Sequence, residues 1–371
     1  MAVELPGRAT EPMWINMGPQ HPATHGLWDL RIQVSGETVL DADPAIGYIH
    51  RGIEKLCEHR NYNQIIPLMD RTGYVSSMSW AIMHCLAAEE VLKVEVPPRA
   101  EMLRIVCYEL QRIASHLLFV FGIAENTGLL TIWLYGARDR EYILDLFQSL
   151  SGARMHYNYP RVGGVRWDMP PNWDRQVRTA LDTIEARLKE YEAMCLQSKV
   201  FRMRLEGVAP LRKEDALRLG VTGPNLRASG VKDDVRLSDP IMDYSRFDFD
   251  VPVGKNGDCM DRFRMRMEEI RQSARIVRQA LDAMPEGPVM ARGLKRVKPP
   301  PGEAYVRVED PRGEAAEHII SDGSERPFRV KLRSPVFSTM QALPLMLKGC
   351  KVADVPVVME SIDLLIGETD R

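Results

Sequence analysis

Residues 117–137 read LLFVFGIAENTGLLTIWLYGA, and Glu125 is the one charge among them. The length suits a membrane span. The middle does not: Glu125-Asn126-Thr127-Gly128 would set a carboxylate, an amide and a helix-weakening glycine at the centre of a bilayer. The flanks mix both signs, with Glu109, Arg112 and His116 before and Arg138, Asp139 and Arg140 after, so no basic side is marked. The stretch therefore predicts two buried helices meeting at a polar break, an arrangement that can line a cavity.

Outward from this core, helix signals cover 73–93, 99–121, 128–150, 174–197 and 258–284. In 174–197, Val177, Leu181, Ile184, Leu188 and Tyr191 recur near every 3.6 residues. Asp43-Pro44 offers an N-cap and a first-turn proline for a helix reaching Glu58, which makes Gly52 a costly mid-helix glycine. On that helix His50, Glu54 and Glu58 would share a face. Strands are predicted at 13–17, 27–34 and 38–40, and again at 304–309, 315–320 and 328–332, before a short helix from Pro335. The fold class is α+β: a large central helical bundle with a small antiparallel sheet built from N- and C-terminal segments. The divisions are 1–45 (N-terminal β segment), 46–295 (helical core) and 296–371 (C-terminal β segment and tail).

Composition narrows the function. With 49 Lys+Arg against 51 Asp+Glu, the chain lacks the basic footprint of a general nucleic-acid binder. The six cysteines form no C-x-x-C pair, which leaves no sequence-local zinc or iron–sulfur ligation and, with no signal peptide, predicts reduced thiols inside a cell. No metal site is expected.

Several residues could carry chemistry. His21 and His25 lie in GPQHPATHG (18–26), either an incidental turn or a proline-stiffened loop that holds an imidazole toward a ligand. Tyr74 is either a core residue at a helix start or a phenol donor. Arg154, His156, Arg161 and Arg166 share a loop with Gly152, Gly163 and Gly164, which covers a helix end or hugs an anion or redox cluster. The arginines of 262–278 read as a solvated or subunit-facing surface.

The segments GPQHPATHG (18–26), IGYIHRGIEKL (46–56), PLMDRTGYVS (67–76), LQRIASHLL (110–118), SGARMH (151–156), FDVPVGKNGDCMDR (249–262), ISDGSERPFRVKLRSPVF (320–337) and SIDLLIGETDR (361–371) run in order over nearly the whole chain. Together they resemble the quinone-site subunit of respiratory complex I, its D or 49 kDa subunit. That family resembles in turn the large subunit of nickel–iron hydrogenases, whose two C-x-x-C pairs hold the metal. Here Gly73 and Ser76 stand at the first pair and Leu365 and Glu368 at the second, so the thiolates that nickel needs are missing.

The resemblance implies roles by position. His25 and Tyr74 are the expected catalytic pair, bonding the two quinone carbonyls, with His21 and Asn126 beside them in the quinone-binding set. Arg51 and His156 are expected near a 4Fe–4S cluster on a partner, and this chain is expected to ligate no cofactor, with quinone as its substrate. The implied complex is a proton-pumping oxidoreductase at the cytoplasmic face of the cell membrane, with a cluster-bearing B-type subunit, a C-type subunit and a membrane-arm H-type subunit. The rivals are the same terminal step fed by a deazaflavin (F420) or ferredoxin with a menaquinone or phenazine acceptor, and a non-catalytic scaffold. Two departures stand out. Asn126 takes the place where much of the family has an aspartate that bonds the histidine, and adjacent Glu125 would point about 100° away on a helix. The Val297–Gly302 crossing is short where respiratory relatives carry an additional helical segment.

Overall fold

The computed structural model describes residues 11–294 and 297–371, and in it the apolar run at 117 is the second half of a long central helix. The helices in chain order are α1 (Ile53–Glu58), α2 (Tyr62–Thr72), α3 (Ser77–Leu92), α4 (Pro98–Asn126), α5 (Leu130–Ser151), α6 (Trp173–Gln197) and α7 (Lys199–Leu205). They continue with α8 (Lys213–Arg218), α9 (Gly223–Ala228), α10 (Val235–Ser238), α11 (Cys259–Asp282), α12 (Pro335–Leu347), α13 (Val355–Ser361) and α14 (Ile366–Asp370). The strands are β1 (Met13–Met17), β2 (Asp29–Ser35), β3 (Thr38–Ala45), β4 (Pro160–Arg161), β5 (Gly164–Val165), β6 (Gly302–Asp310), β7 (Gly313–Ser321) and β8 (Pro327–Arg333). The α+β class holds.

Helix α4 opens on Pro98, whose missing N–H costs nothing in a first turn, and is buried nearly all round. It stops at the polar break: the Thr127 hydroxyl turns back to the Ile123 carbonyl (2.9 Å), and Gly128 takes a positive φ of 82°. The chain then returns as α5. Gly136 allows the close crossing, since a Cβ there would lie 1.8 Å from the Phe121 ring. The two halves of 117–137 differ in burial, however. Leu130, Trp133, Leu134 and Tyr135 on the first turns of α5 are exposed, so only the α4 half meets the expectation of a buried helix. Among the described residues no helix is long and apolar enough to cross a membrane.

Three other expectations change. The terminal strands do not share one sheet: β1-β2-β3 and β6-β7-β8 are separate antiparallel sheets. The C-terminal segment touches the first sheet at one bridge, Thr38 to Lys351, supported by Val39 N–H to the Cys350 carbonyl (2.8 Å). Sheet β6-β7-β8 instead packs on α1 and α3, where Glu54 and Glu58 of α1 hold Lys331 and Arg329 of β8. Second, Asp43-Pro44 ends β3 rather than opening a helix, because Asp43 pairs across the sheet with Arg31. His50 and Arg51 therefore precede α1, and Gly52 is its N-terminal flank at φ 64°, a left-handed position that glycine fills without strain. Third, α11 is not simply a surface helix. Arg262 and Arg266 are fully buried, while Arg264 and Arg275 face outward.

The interior holds a charged network. Arg227 pairs with Glu269 (2.7 Å) and Glu309 (2.8 Å), Arg236 with Asp234 (2.6 Å) and Glu109 (3.1 Å), and Arg104 with Glu89 (2.6 Å). One apolar cluster surrounds it from Met17 to Ile366, so the helices and both sheets share a core. The domain boundary expected at 295–296, and the first ten residues of the N-terminal division, lie outside the described residues.

Candidate functional site

The polar end of α4 is one wall of a cavity of about 610 Å³. The opposite wall is the 21–28 loop; Tyr74 and the 356–366 segment complete it. His21, His25, Tyr74 and Asn126, far apart in sequence, all line it.

The loop is shaped by its own hydrogen bonds. Thr24 is buried, and its hydroxyl donates to the carbonyls of Pro19 (3.0 Å) and His21 (3.1 Å), closing a 3-10 turn over Pro22–Thr24. His21 Nδ1 accepts from the Ala23 N–H (3.1 Å), which places the proton of the neutral ring on Nε2. His25 follows at φ 53° and is exposed, and its ring has no hydrogen-bond partner among the described residues.

Tyr74 lies in the turn between α2 and α3, where Gly73 carries no Cβ because one would sit 2.1 Å from Trp80 Nε1. Burial raises the Tyr74 phenol above its ordinary range against the pull of Arg312; Glu368 raises it further and Arg51 lowers it. It therefore stays a donor. Arg312 donates to Asp363 (3.0 Å) and Ser115 (3.2 Å) behind the cavity.

The two segments that carry the hydrogenase-type positions meet here. Gly367, between Leu365 and Glu368, packs on the Tyr74 ring, and Tyr74 lies between Gly73 and Ser76. Glu368 is buried, accepts from the Ser334 hydroxyl (3.0 Å), and is pushed well above the carboxylate range by burial and then by Asp310. Among the described residues no three His, Cys, Asp or Glu side chains gather as a metal site, and the six cysteines are free thiols.

Asn126 does not reach His25. Its amide donates to the Gly122 carbonyl (2.9 Å) on its own helix. Glu125 also borders the cavity, because the helix ends there and both residues look into the same space. A further carboxylate comes from α13: Glu360 Oε1 occupies the space a Cβ on Gly122 would need, 1.9 Å away. Sequence reading missed Glu360, Asp363 and Arg312. The signal for Glu360 was a lone acid in the apolar run VPVVME.

Arg51 and His156 lie outside this cavity but beside each other's anchor. Arg51 donates to the carbonyls of Arg71 (2.6 Å) and Gly367, and His156 Nδ1 bonds the adjacent carbonyl, Asp70 (3.1 Å). Burial lowers the His156 pKa. It also pushes the Asp70 carboxyl up to about 7, although Oδ2 accepts from the Asn158 N–H (2.8 Å). The Arg51 Nε is buried and has no hydrogen-bond partner among the described residues.

Comparison with known proteins gives this arrangement its family. The family described as respiratory-chain NADH dehydrogenase, 49 Kd subunit, matches residues 126–299 and 292–371. The D-type subunit of the NADH-quinone oxidoreductase of Carboxydothermus hydrogenoformans is 44% identical over 361 residues, 97% of this chain and 99% of that one. Its counterpart in Geobacillus kaustophilus is 45% identical over 362 residues, with the same coverage. Among solved structures, a chain of the membrane-bound sulfane sulfur reductase (MBS), an archaeal respiratory membrane complex, superposes with a TM-score of 0.92 at 35% identity, covering 99% of this chain and 100% of that one. The chain belongs to the 49 Kd subunit family. It is a subunit of an oxidoreductase complex of the complex I type, which serves electron transport.

These relatives correct one expectation. The Carboxydothermus chain aligns over 361 residues that make up 99% of its own length and 97% of this chain, so it holds no additional segment at the Val297–Gly302 crossing. The short crossing is not a mark of divergence from it.

Proposed function

We propose that the cavity is the chamber in which a quinone headgroup is reduced, with His25 and Tyr74 donating to its two carbonyl oxygens. One observation carries the reading: a single cavity gathers a protonated phenol and an imidazole that has no hydrogen-bond partner among the described residues, beside the positions Gly73, Ser76, Leu365 and Glu368 at which the resemblance places the hydrogenase thiolates. Reducing a quinone takes two electrons and two protons. Imidazole and phenol can each supply a proton and be recharged. The apolar side of the cavity, Leu118, Phe119, Phe121 and Met359, suits a ring and keeps water from competing.

A 4Fe–4S cluster on a B-type partner would supply the electrons. Arg51 and His156 fit its neighbourhood: they are anchored on consecutive carbonyls, and among the described residues no group accepts from the buried Arg51 Nε–H. A nearby guanidinium raises the potential of an anionic cluster, and a histidine links it to pH. In this reading the chain is a peripheral subunit at the cytoplasmic face of a proton-pumping complex, and also meets a C-type subunit and the membrane-arm H-type subunit. The exposed apolar first turns of α5 agree with a face covered in an assembly.

A second reading keeps the step but changes its ends, with a deazaflavin or ferredoxin donor and a menaquinone or phenazine acceptor. The likeness to a chain of a sulfane sulfur reductase favours weighing it, since the same fold serves a differently named complex. The experiment for both is turnover by the purified complex with short-chain ubiquinone, menaquinone, phenazine and sulfane sulfur acceptors, in wild type and Tyr74→Phe. Loss of quinone turnover in an assembled Tyr74→Phe complex is expected; wild-type quinone turnover would leave the scaffold reading standing.

A further inference from the structure

We propose that Glu360 is the proton-holding residue of this chamber, seated in a notch left by Gly122, and that it recharges His25 as the headgroup is reduced. The inference rests on the quinone reading above.

The notch is a built feature. Glu360 sits near the end of α13, and its Oε1 lies where any side chain at position 122 would place its Cβ. The Gly122 carbonyl is meanwhile taken by the Asn126 amide (2.9 Å), so Gly122, Asn126 and Glu360 form one corner of the cavity. The Glu360 carboxyl has no hydrogen-bond partner among the described residues, while it borders the same space as His25 and Tyr74.

Two cations, Arg312 and Arg266, lie near enough to act on it, but among the described residues neither forms an ion pair with it. Asp363, beyond α13, and Glu125, on α4, are like charges. Arg312 is committed to Asp363 (3.0 Å) and Ser115. Arg266, on α11, lies over the Phe119 ring (4.2 Å) and donates to the carbonyls of Arg262 and Ser361 and to Asn225. His21, His25 and Tyr74 face it across the cavity. Burial, then Asp363, raises the Glu360 carboxyl to about 8 against the pull of Arg312 and Arg266, with Glu125 adding to the rise, so it carries a proton at neutral pH.

The proton balance is simple. The quinone takes two electrons from the partner's iron–sulfur carrier and two protons, one from Tyr74 and one from His25, and becomes a quinol. The O–H bond of the Glu360 acid then breaks and an N–H bond forms on His25 through water in the cavity, while the Tyr74 phenolate takes its proton back from cavity water, which bulk water replenishes. The Glu360 carboxylate regains its proton from bulk water.

The test uses the assembled complex. In Glu360→Gln, quinone turnover at pH 7 should fall about ten-fold or more, within the range of a lost acid–base group. The KM should stay within about two-fold. The decline of the wild-type rate as pH rises through about 8 should disappear. Gly122→Ala should reproduce this, because its Cβ evicts the carboxylate. Reduction of a soluble one-electron acceptor that draws from the complex before the chamber should be unchanged in both. Wild-type rate and pH profile in Glu360→Gln would overturn the proposal. Should that variant fail to assemble, infrared difference spectra of the wild-type and Gly122→Ala complexes decide: a protonated-carboxyl band that fades as pH rises through about 8 in wild type and is lost or shifted in Gly122→Ala supports it, and bands identical in the two overturn it. If Tyr74→Phe and His25→Ala lose quinone turnover while Glu360→Gln keeps it, only the Glu360 assignment falls. If all three keep it, the quinone reading falls as well.

Discussion

Gly367 lies flat against the ring of Tyr74, so close that a Cβ on the glycine would come within 2.6 Å of Cε1. Arg51 secures the contact by donating to the Gly367 carbonyl. Tyr74 thus takes its position from a residue near the other end of the chain. Gly367→Ala must displace the ring. Misplacement of a reacting group by about 1 Å costs on the order of 100-fold. Quinone turnover of the assembled complex should drop accordingly, with subunit content on a gel unchanged.

Asn126→Asp puts a third carboxylate into the corner that Glu360 and Glu125 already share. Like charges disfavour ionisation, so the Glu360 proton should be held to higher pH. The alkaline limb of quinone reduction should move up by roughly one unit. A profile identical to wild type would show that position 126 has no part in handling the proton.

Arg227 neutralises two buried carboxylates, Glu269 and Glu309, from one guanidinium. Removing it strands both. Arg227→Leu should cost about 3–5 kcal/mol, the range for breaking a buried pair on one side. Thermal scans of the complex, read by release of this subunit, should show a lower midpoint than wild type.

His116 donates Nε2–H to Glu269 (2.9 Å) but is buried enough that its pKa falls to about 4. Glu269 keeps its charge because Arg227, more than His116, holds its carboxyl far below the usual range. The unfolded histidine titrates near ~6.5, so the unfolded chain binds more protons between that pH and about 4. Stability should therefore decline as pH drops through this window. His116→Gln, which can still donate to Glu269, should flatten that decline in a pH series of unfolding midpoints.

The helical core was legible because its signals are local. Pro98 opens α4, Thr127-Gly128 closes it, and α6 keeps an unbroken 3.6-residue period. Elsewhere two local rules competed. Asp43-Pro44 satisfies a helix start, yet the Arg31 partner across the sheet decides for the strand. Helix α2, which the sequence reading did not include, carries Pro67 in its interior and is opened by a capping box of Asn61 and Gln64. The buried side of α11 escaped for a different reason: the Ser361 hydroxyl holds Arg262, and Asp363 with the Ser361 carbonyl holds Arg266, groups too distant in sequence for any window to contain. The chamber was legible only through family resemblance. Nothing in local spacing brings His25, Tyr74 and Asn126 together, and Glu360 lay outside every motif.

Those separations bear on how the protein is made. The chamber's walls are drawn from the first sheet's loop, the α2–α3 turn, the end of α4 and the segment around α13. Contacts of such long sequence separation form late, since loop closure must be met before they contribute. As the chain leaves the ribosome, α4 and Tyr74 are present long before α13 can cover them, and their apolar faces meet solvent in the interval. Biogenesis thus contains a stage at which the helical core exists and the chamber does not.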